Sequence, residues 1–335
     1  MREKNPVVAE LAGLSGEERR ERLLRGAEAE GKLSFYTSTA PEDIQSLLMA
    51  FGMRYPFIQP EMVRDKGTVL RERITREYSD GASAADVIEL TEINLGKLKA
   101  RGLLQPFSSP EGEAYGELQE SEGYWVAEQK NFLVLAWNTE LLKSASPQDY
   151  DGLLDPILKG KVTVEAHDAC WMAALMNHWG TKRGAGFFSS FGPQIGGLVT
   201  GHQIIAERIA AGSLLLSPTI HSNNSEWLKR RSLAIDWLPL EPVVVELVGI
   251  ALPANPPHPH AALLLIDFIL SLEGQRILRL WKRVPGHPAL EADPPYMSRG
   301  FASILVDAKQ FLQRESEFES LWEELIVKQS GQVKR

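Results

Sequence analysis

At 335 residues the chain is about twice the usual size of a single domain, so two lobes are the starting expectation. Its 44% hydrophobic and 24% charged residues are those of an ordinary folded protein, and a net charge of -8 with a pI near 5.5 argues against the basic stripe of a nucleic-acid binder. No apolar run is long enough to span a membrane, the start lacks the apolar segment of a signal peptide, and the single Cys170 leaves no internal disulfide and no cysteine-based zinc site. A start of this kind fits a cytosolic protein or one whose leader is missing, and composition does not decide between them.

Residues 8–31 read as one or two charged surface helices, with Ser15 as a cap. "LSFYT" is a short aromatic-rich strand, and a helix signal follows at once. Thr39 reads as the N-cap, Pro41 sits in the first turn, Glu42 completes a Thr-x-x-Glu box, and Ile44, Leu47, Leu48 and Phe51 mark one buried face. "FIQPEMVRD" reads as a second strand and "KGTVLRERITREYS" as a helix after a turn at Gly67. "AADVIEL" is a buried strand, and "TEINLGKLKARG" a helix capped by Thr91 and ended by Gly102. Alternating strands and helices imply a parallel sheet with right-handed crossovers.

Beyond a polar loop at 105–124, "NFLVLAWN" restarts the pattern. "KVTVEAHD" is strand and turn, "ACWMAALMNHWG" a helix, "TGHQIIAERIAAG" a helix with Thr200 as cap and Gln203 in the box position, and "SLLLSPT" a strand. "PVVVELVGIALP" is a long apolar run that fits a buried strand crossing between lobes. Two helices around a Ser271 cap and an amphipathic C-terminal helical segment follow. The expected organisation is an N-terminal helical extension at 1–31, a discontinuous first lobe at 32–138 and 243–335, and a second lobe at 139–242.

Small polar residues collect at the strand-to-helix turns: Thr37, Ser38 and Thr39; Gly67 and Thr68; Thr91 and Glu92; His167 and Asp168; Thr200; and His221, Ser222, Asn223 and Asn224. With these turns on one side of each lobe, they would line a shared cleft suited to a small polar ligand with a negative group. Each residue could equally be only a helix cap. Catalytic arrangements are weaker. His167 and Cys170 stand at helical spacing, but Cys170 beside Trp171 and Met172 reads as a small buried hydrophobe. "PPHPH" at 256–260 is a weak metal signal, and Glu89 with Glu92 could pair as acid and base without marking any electrophile. No Gly-x-Ser-x-Gly elbow, phosphate-binding glycine loop or His-Glu-x-x-His is present, so no enzyme is expected.

The phrases "EGKLSFYTS", "LLMAFGMRYP", "ADVIELTE", "GLLQPF", "FLVLAWNT", "DPILKGKV", "IAERIAAG", "VGIALPANPPHPHAA" and "DFILSLEGQRIL" together resemble the type 2 periplasmic binding proteins. Within that class they resemble the solute-binding subunits of ABC importers grouped with ferric-ion binders. The resemblance implies an α/β, two-lobed fold with a hinge of crossing strands, closure around one ligand, and delivery to a membrane permease. It also implies a periplasmic or extracellular monomer without a cofactor, and no enzyme. Ferric members carry adjacent tyrosines after the strand matching "SLLLSPT", whereas this chain reads "IHSNNSEW". The departure favours an organic oxyanion, such as a sugar phosphate, phosphonate or carboxylate, with no metal ligands assigned. His221, Asn223 and Asn224 would face Thr37, Ser38 and Thr68 across the cleft. Two alternatives stay open: a metal or metal chelate held by Glu89, Glu92, His167, Asp168 and His221, and an enzyme on the same scaffold.

Overall fold

A computed structural model describes residues 5–143 and 147–330. Residues 1–4 of the expected extension, 144–146 of the expected second lobe and 331–335 of the expected first lobe lie outside the described residues. In chain order, α1 (Pro6–Ala12) and α2 (Gly16–Glu30) precede β1 (Lys32–Thr37), α3 (Pro41–Arg54), β2 (Gln59–Arg64), α4 (Gly67–Ser79), β3 (Val87–Thr91), α5 (Glu92–Ala100), β4 (Leu104–Gln105) and β5 (Trp125–Asn138). Next come β6 (Val162–Glu165), α6 (Ala169–Trp179), α7 (Thr181–Phe191), β7 (Ile195–Val199), α8 (His202–Ala210), β8 (Leu216–His221), α9 (Ser222–Arg230), β9 (Ile235–Leu238) and β10 (Val243–Pro253). Last are α10 (Pro259–Leu270), α11 (Leu272–Leu280), β11 (Val284–Pro285), β12 (Ser303–Leu305), α12 (Ala308–Gln313) and α13 (Glu315–Trp322). The chain divides into two compact units, Met1–Lys130 with Leu247–Glu291, and Asn131–Glu246 with Ala292–Arg335. It passes from one unit to the other within β5, within β10 and after Glu291.

In the first unit β2, β1 and β3 run parallel, and β3 pairs antiparallel with the later half of β10. The core packs Phe35, Ile44, Leu47, Phe51 and Val87 against Leu263, Ile266 and Leu270 of α10. Burial of this kind contributes roughly 1.5–3 kcal/mol per large apolar side chain. The N-terminal helices belong to this core: Leu23 and Ala27 of α2 join the same cluster. A Cβ on Gly26 would meet the His260 ring at 2.2 Å, so only glycine lets α2 approach α10 this closely. Arg19, almost fully buried, donates to Asp267 at 2.5 Å and to the Ser108 carbonyl at 3.1 Å.

In the second unit β7, β6 and β8 run parallel, while β8 and β9 pair antiparallel with β5. Trp171 is fully buried and packs edge-on against Phe188 and Phe191. Residues 292–335 were expected with the first lobe, but the described part packs in the second unit. Trp322 donates its indole N–H to the Ala166 carbonyl at 3.1 Å, and a Cβ on Gly192 would meet the Leu325 carbonyl oxygen at 2.1 Å. An amphipathic period specifies a buried face without specifying what covers it, so the sequence could not assign this helix to either unit. "SLLLSPT" also shifts: β8 begins at Leu216 and continues through His221, and the strand-to-helix turn expected at Ser222, Asn223 and Asn224 is already the first turn of α9.

The Arg19–Asp267 pair gives the first expected outcome. Asp267→Ala strands a buried guanidinium and should lower the unfolding free energy by about 3 kcal/mol or more in urea melts. Replacing both partners, Arg19→Met with Asp267→Leu, should cost markedly less.

Candidate functional site

Parallel order brings the C-terminal ends of β2, β1 and β3 to one edge of the first unit, where Thr37 pairs with both Arg64 and Glu89. Helices α3, α4 and α5 start from that edge, and none carries a side-chain cap. Their first-turn amides therefore point outward with the positive ends of the helix dipoles. Thr39 does not cap α3, since the N-cap is Ala40. Its hydroxyl instead donates to Glu89, the Thr37 hydroxyl donates to the other Glu89 oxygen at 2.9 Å, and the Thr39 amide donates to the Thr37 oxygen at 3.0 Å. The reason is desolvation: Glu89 is buried, and a buried carboxylate takes every donor within reach. Thr37 and Thr39 thus spend their hydroxyls inside the protein.

Burial raises the Glu89 carboxyl, against which the Thr39 and Thr37 hydrogen bonds pull it down. Glu128 is raised well above the usual range by burial and by the Glu89 charge. Gln129 bridges the two, donating to Glu128 at 2.8 Å and to Glu89 at 3.4 Å. Outward of this network lies the start of α4. A Cβ on Gly67 would stand 3.1 Å from the Asn94 amide nitrogen, and Asn94 in turn donates to Thr91 and accepts from Arg71. Gly67 and Thr68 are partly exposed, with Arg64 and Lys66 on the preceding turn. Glu92 accepts the Trp125 indole N–H at 2.9 Å.

The second unit repeats the device on β7, β6 and β8, whose ends lead into α8, α6 and α9, again without side-chain caps. Glu165, the last residue of β6, accepts the His167 amide at 2.5 Å and the Gly201 amide at 3.0 Å, so one carboxylate fixes two turns. Thr200 is not the cap of α8; that position is Gly201, whose amide Glu165 holds. His167 itself is exposed. Ser222 and Asn223 are buried in the first turn of α9, Ser222 donating to the Met297 carbonyl at 3.4 Å and Asn223 to the Asn224 side chain at 3.1 Å.

Of the residues named from sequence in this unit, the fold brings Asp168 and His221 together and joins them to His202, Thr219, Cys170 and Glu246. His202 Nε2 lies 3.5 Å from Asp168 Oδ1, and His221 Nε2 lies 3.6 Å from Glu246 Oε2. The two imidazoles lie 4.0 Å apart between centroids, tilted by 32°. His202 Nδ1 meets the Thr219 carbonyl at 2.7 Å, and because a carbonyl only accepts, Nδ1 carries the proton. Cys170 donates its thiol proton to Glu246 Oε1 at 3.1 Å, and burial followed by the charges of Glu246 and Asp168 pushes that thiol well up. Burial also raises Asp168 well above the carboxylate range, helped by the charges of Glu165 and Glu246. Glu246 goes the other way. Burial opposes its charge, but the His221 hydrogen bond, the two imidazoles and the Cys170 thiol hold it at about 2.

Sequence reasoning missed His202 and Glu246. Glu246 did leave a signal, since it is the one charged residue in "PVVVELVGIALP", and an unpaired carboxylate in a buried strand needs a partner. His202 left none beyond its place in a helix start.

Two parallel sheet edges, each leading into helices without side-chain caps and each backed by a buried carboxylate, belong to a two-lobed α/β fold. The profile described as bacterial extracellular solute-binding protein matches residues 84–299. The chain belongs to that family. A search of curated proteins found no match. Among solved structures it is similar to the periplasmic binding protein AfuA of Actinobacillus pleuropneumoniae with exogenous fructose-6-phosphate bound, at a TM-score of 0.80 and 20% identity over 89% of this chain and 99% of that one. It is also similar to iron-bound HitA of Pseudomonas aeruginosa, at 0.74 and 21% over 88% and 99%. Apo ferric ion-binding protein A of Pasteurella haemolytica matches at 0.75 and 18% over 91% and 100%. The fold is that of the type 2 periplasmic binding proteins, and the chain is a solute-binding protein of the ABC-importer kind. Among the described residues no helix is long and apolar enough to cross a membrane.

Glu246 sets a pH dependence. Its carboxyl is lower in the fold than the ordinary 4.5 of a glutamate, so the stability it contributes is present above about pH 4.5 and is lost as pH falls toward 2. The difference between wild type and Glu246→Gln in urea melts should shrink as pH falls from about 4.5 toward 2, from a ceiling of about 3 kcal/mol.

Proposed function

We propose that the chain is the periplasmic, monomeric receptor of an importer for a small organic solute bearing an oxyanion, with sugar phosphates the leading class. One observation carries the reading: the uncapped start of α4, with Gly67 at its first position and Arg64, Lys66 and Arg71 around it. Backbone amides on a helix N-terminus, a glycine that permits close approach and surrounding cations are what a phosphate or carboxylate requires. The neighbouring uncapped starts of α3 and α5 add to the same field. The likeness to AfuA, solved with fructose-6-phosphate, supports the phosphate within this class.

The ferric alternative draws support from the likeness to iron-bound HitA. Against it, residues 221–227 hold no tyrosine, and Glu89 and Glu92, named for that reading, are engaged by threonine hydroxyls and by Trp125.

A thermal-shift panel of sugar phosphates, phosphonates, carboxylates and ferric citrate tests the proposal. A true ligand at a hundred times its dissociation constant adds about 2.7 kcal/mol. The expected hit is a sugar phosphate, and Lys66→Glu should weaken it by about ten- to a hundredfold, or roughly 1.4–2.8 kcal/mol, with the ligand-free melt unchanged. A shift with ferric citrate alone would overturn the reading.

A further inference from the structure

We propose that His202, His221 and Glu246 bind one divalent transition-metal cation of the zinc class within the second unit. Each of the three offers a ligand atom, and these atoms lie within 4.8 Å of one another. Zinc-to-nitrogen and zinc-to-oxygen bonds of about 2.0–2.2 Å would draw such atoms somewhat closer, a side-chain adjustment rather than a backbone one. The outer contacts already suit a metal. The Thr219 carbonyl takes the Nδ1 proton of His202, which makes Nε2, turned toward Asp168, the nitrogen available to a metal, the arrangement that orients a metal-ligating imidazole. The Cys170 thiol occupies Glu246 Oε1 and leaves Oε2 on the histidine side.

A second, independent observation points the same way. Asp168 is 3% exposed, and its Oδ2 has no hydrogen-bond partner among the described residues. Asp168, Glu165 and Glu246 are all buried near one another, and among the described residues no lysine or arginine pairs with any of them. Among the described cationic side chains only the imidazoles stand beside this cluster, and a cation would bind its carboxyl oxygens more fully. Asp168 stands beside His202 as a fourth oxygen donor or as the acceptor for a metal-bound water.

The donors also select the ion. Two imidazoles with carboxylate suit zinc, cobalt, nickel or copper, whereas a hard trivalent ion favours phenolate. The described tyrosines of this unit are committed elsewhere, Tyr150 to the Pro242 carbonyl and Tyr296 to Glu226. His202 and His221 keep 18% and 12% of their side chains exposed, which gives an ion a route in.

The full chain, stripped with chelator and free of any solute, should bind Zn²⁺ and Co²⁺ one to one by calorimetry, with Co²⁺ giving the visible absorption of a low-coordinate nitrogen and oxygen site. His202→Ala and Glu246→Gln should each weaken Zn²⁺ by a hundredfold or more, while circular dichroism of the metal-free proteins confirms that they fold. His167→Asn, an exposed histidine outside the cluster, should leave the affinity unchanged, as should Lys66→Glu, which separates this site from the anion site of the first unit. Absence of one-to-one Zn²⁺ or Co²⁺ binding by the wild type would overturn the proposal. So would folded His202→Ala and Glu246→Gln variants with unchanged affinity, or Fe³⁺ bound more tightly than Zn²⁺.

Discussion

The polar edge of the second unit depends on one carboxylate. Glu165 ends the central strand of β7, β6 and β8, and its two oxygens hold amides of its own turn, at His167, and of the turn after β7, at Gly201. Its own amide donates to the Thr219 hydroxyl on the third strand at 3.1 Å, so all three strand ends are tied through one residue. Hydrogen bonds to a charged acceptor are worth about 1.5–3 kcal/mol each, more than neutral ones, which makes Glu165 a stiff joint. Gly201, at a φ of 108°, accepts a backbone geometry that a side chain would resist, and His202 follows directly into α8. The imidazole positions therefore descend from Glu165 through backbone rather than through side-chain packing.

The first unit buries its carboxylate, Glu89, within β3 beside the central strand β1 rather than at a strand end, and satisfies it differently. Threonine hydroxyls and Gln129 surround it, and its neighbour Glu128 is driven toward the protonated form by burial and by the Glu89 charge. The network is closed, with donors matched to acceptors apart from one Gln129 oxygen. In the second unit the carboxylates meet imidazoles, which can donate or coordinate according to protonation. Similar sheet edges thus produce a rigid support in one unit and a chemically responsive cluster in the other.

Much of the alternation was legible because it rests on period and punctuation. "LSFYT" with its helix, and "AADVIEL" with its helix, read correctly from burial pattern and Gly102. Thr39 was misread because a hydroxyl ahead of a helix can cap it or serve a buried acid, and the acid lies 50 residues away in sequence. Ser222, Asn223 and Asn224 read only as a strand-to-helix turn because serine and asparagine favour turns and helix starts alike, and the junction at His221 puts them inside α9. The metal-like cluster gathers residues from three separated segments, and no local pattern carries such a meeting.

Capping shows what the two edges cost. Asn5, Ser271 and Asp307 cap α1, α11 and α12 with their side chains, away from both edges. The helices α3, α4, α5, α6, α8 and α9 go without. Helices α2, α7, α10 and α13 also lack side-chain caps, so a missing cap alone marks nothing. What distinguishes the six is that they begin along two parallel sheet edges. A side-chain cap contributes about 1 kcal/mol, and each one forgone leaves amides that an external acceptor can use. A binding protein gains affinity from donors fixed before the ligand arrives, since their ordering is then complete. Stability given up at those starts is recovered in the buried core and in the carboxylate joints beneath them, which is why Glu89 and Glu165 are buried while the amides above them face outward.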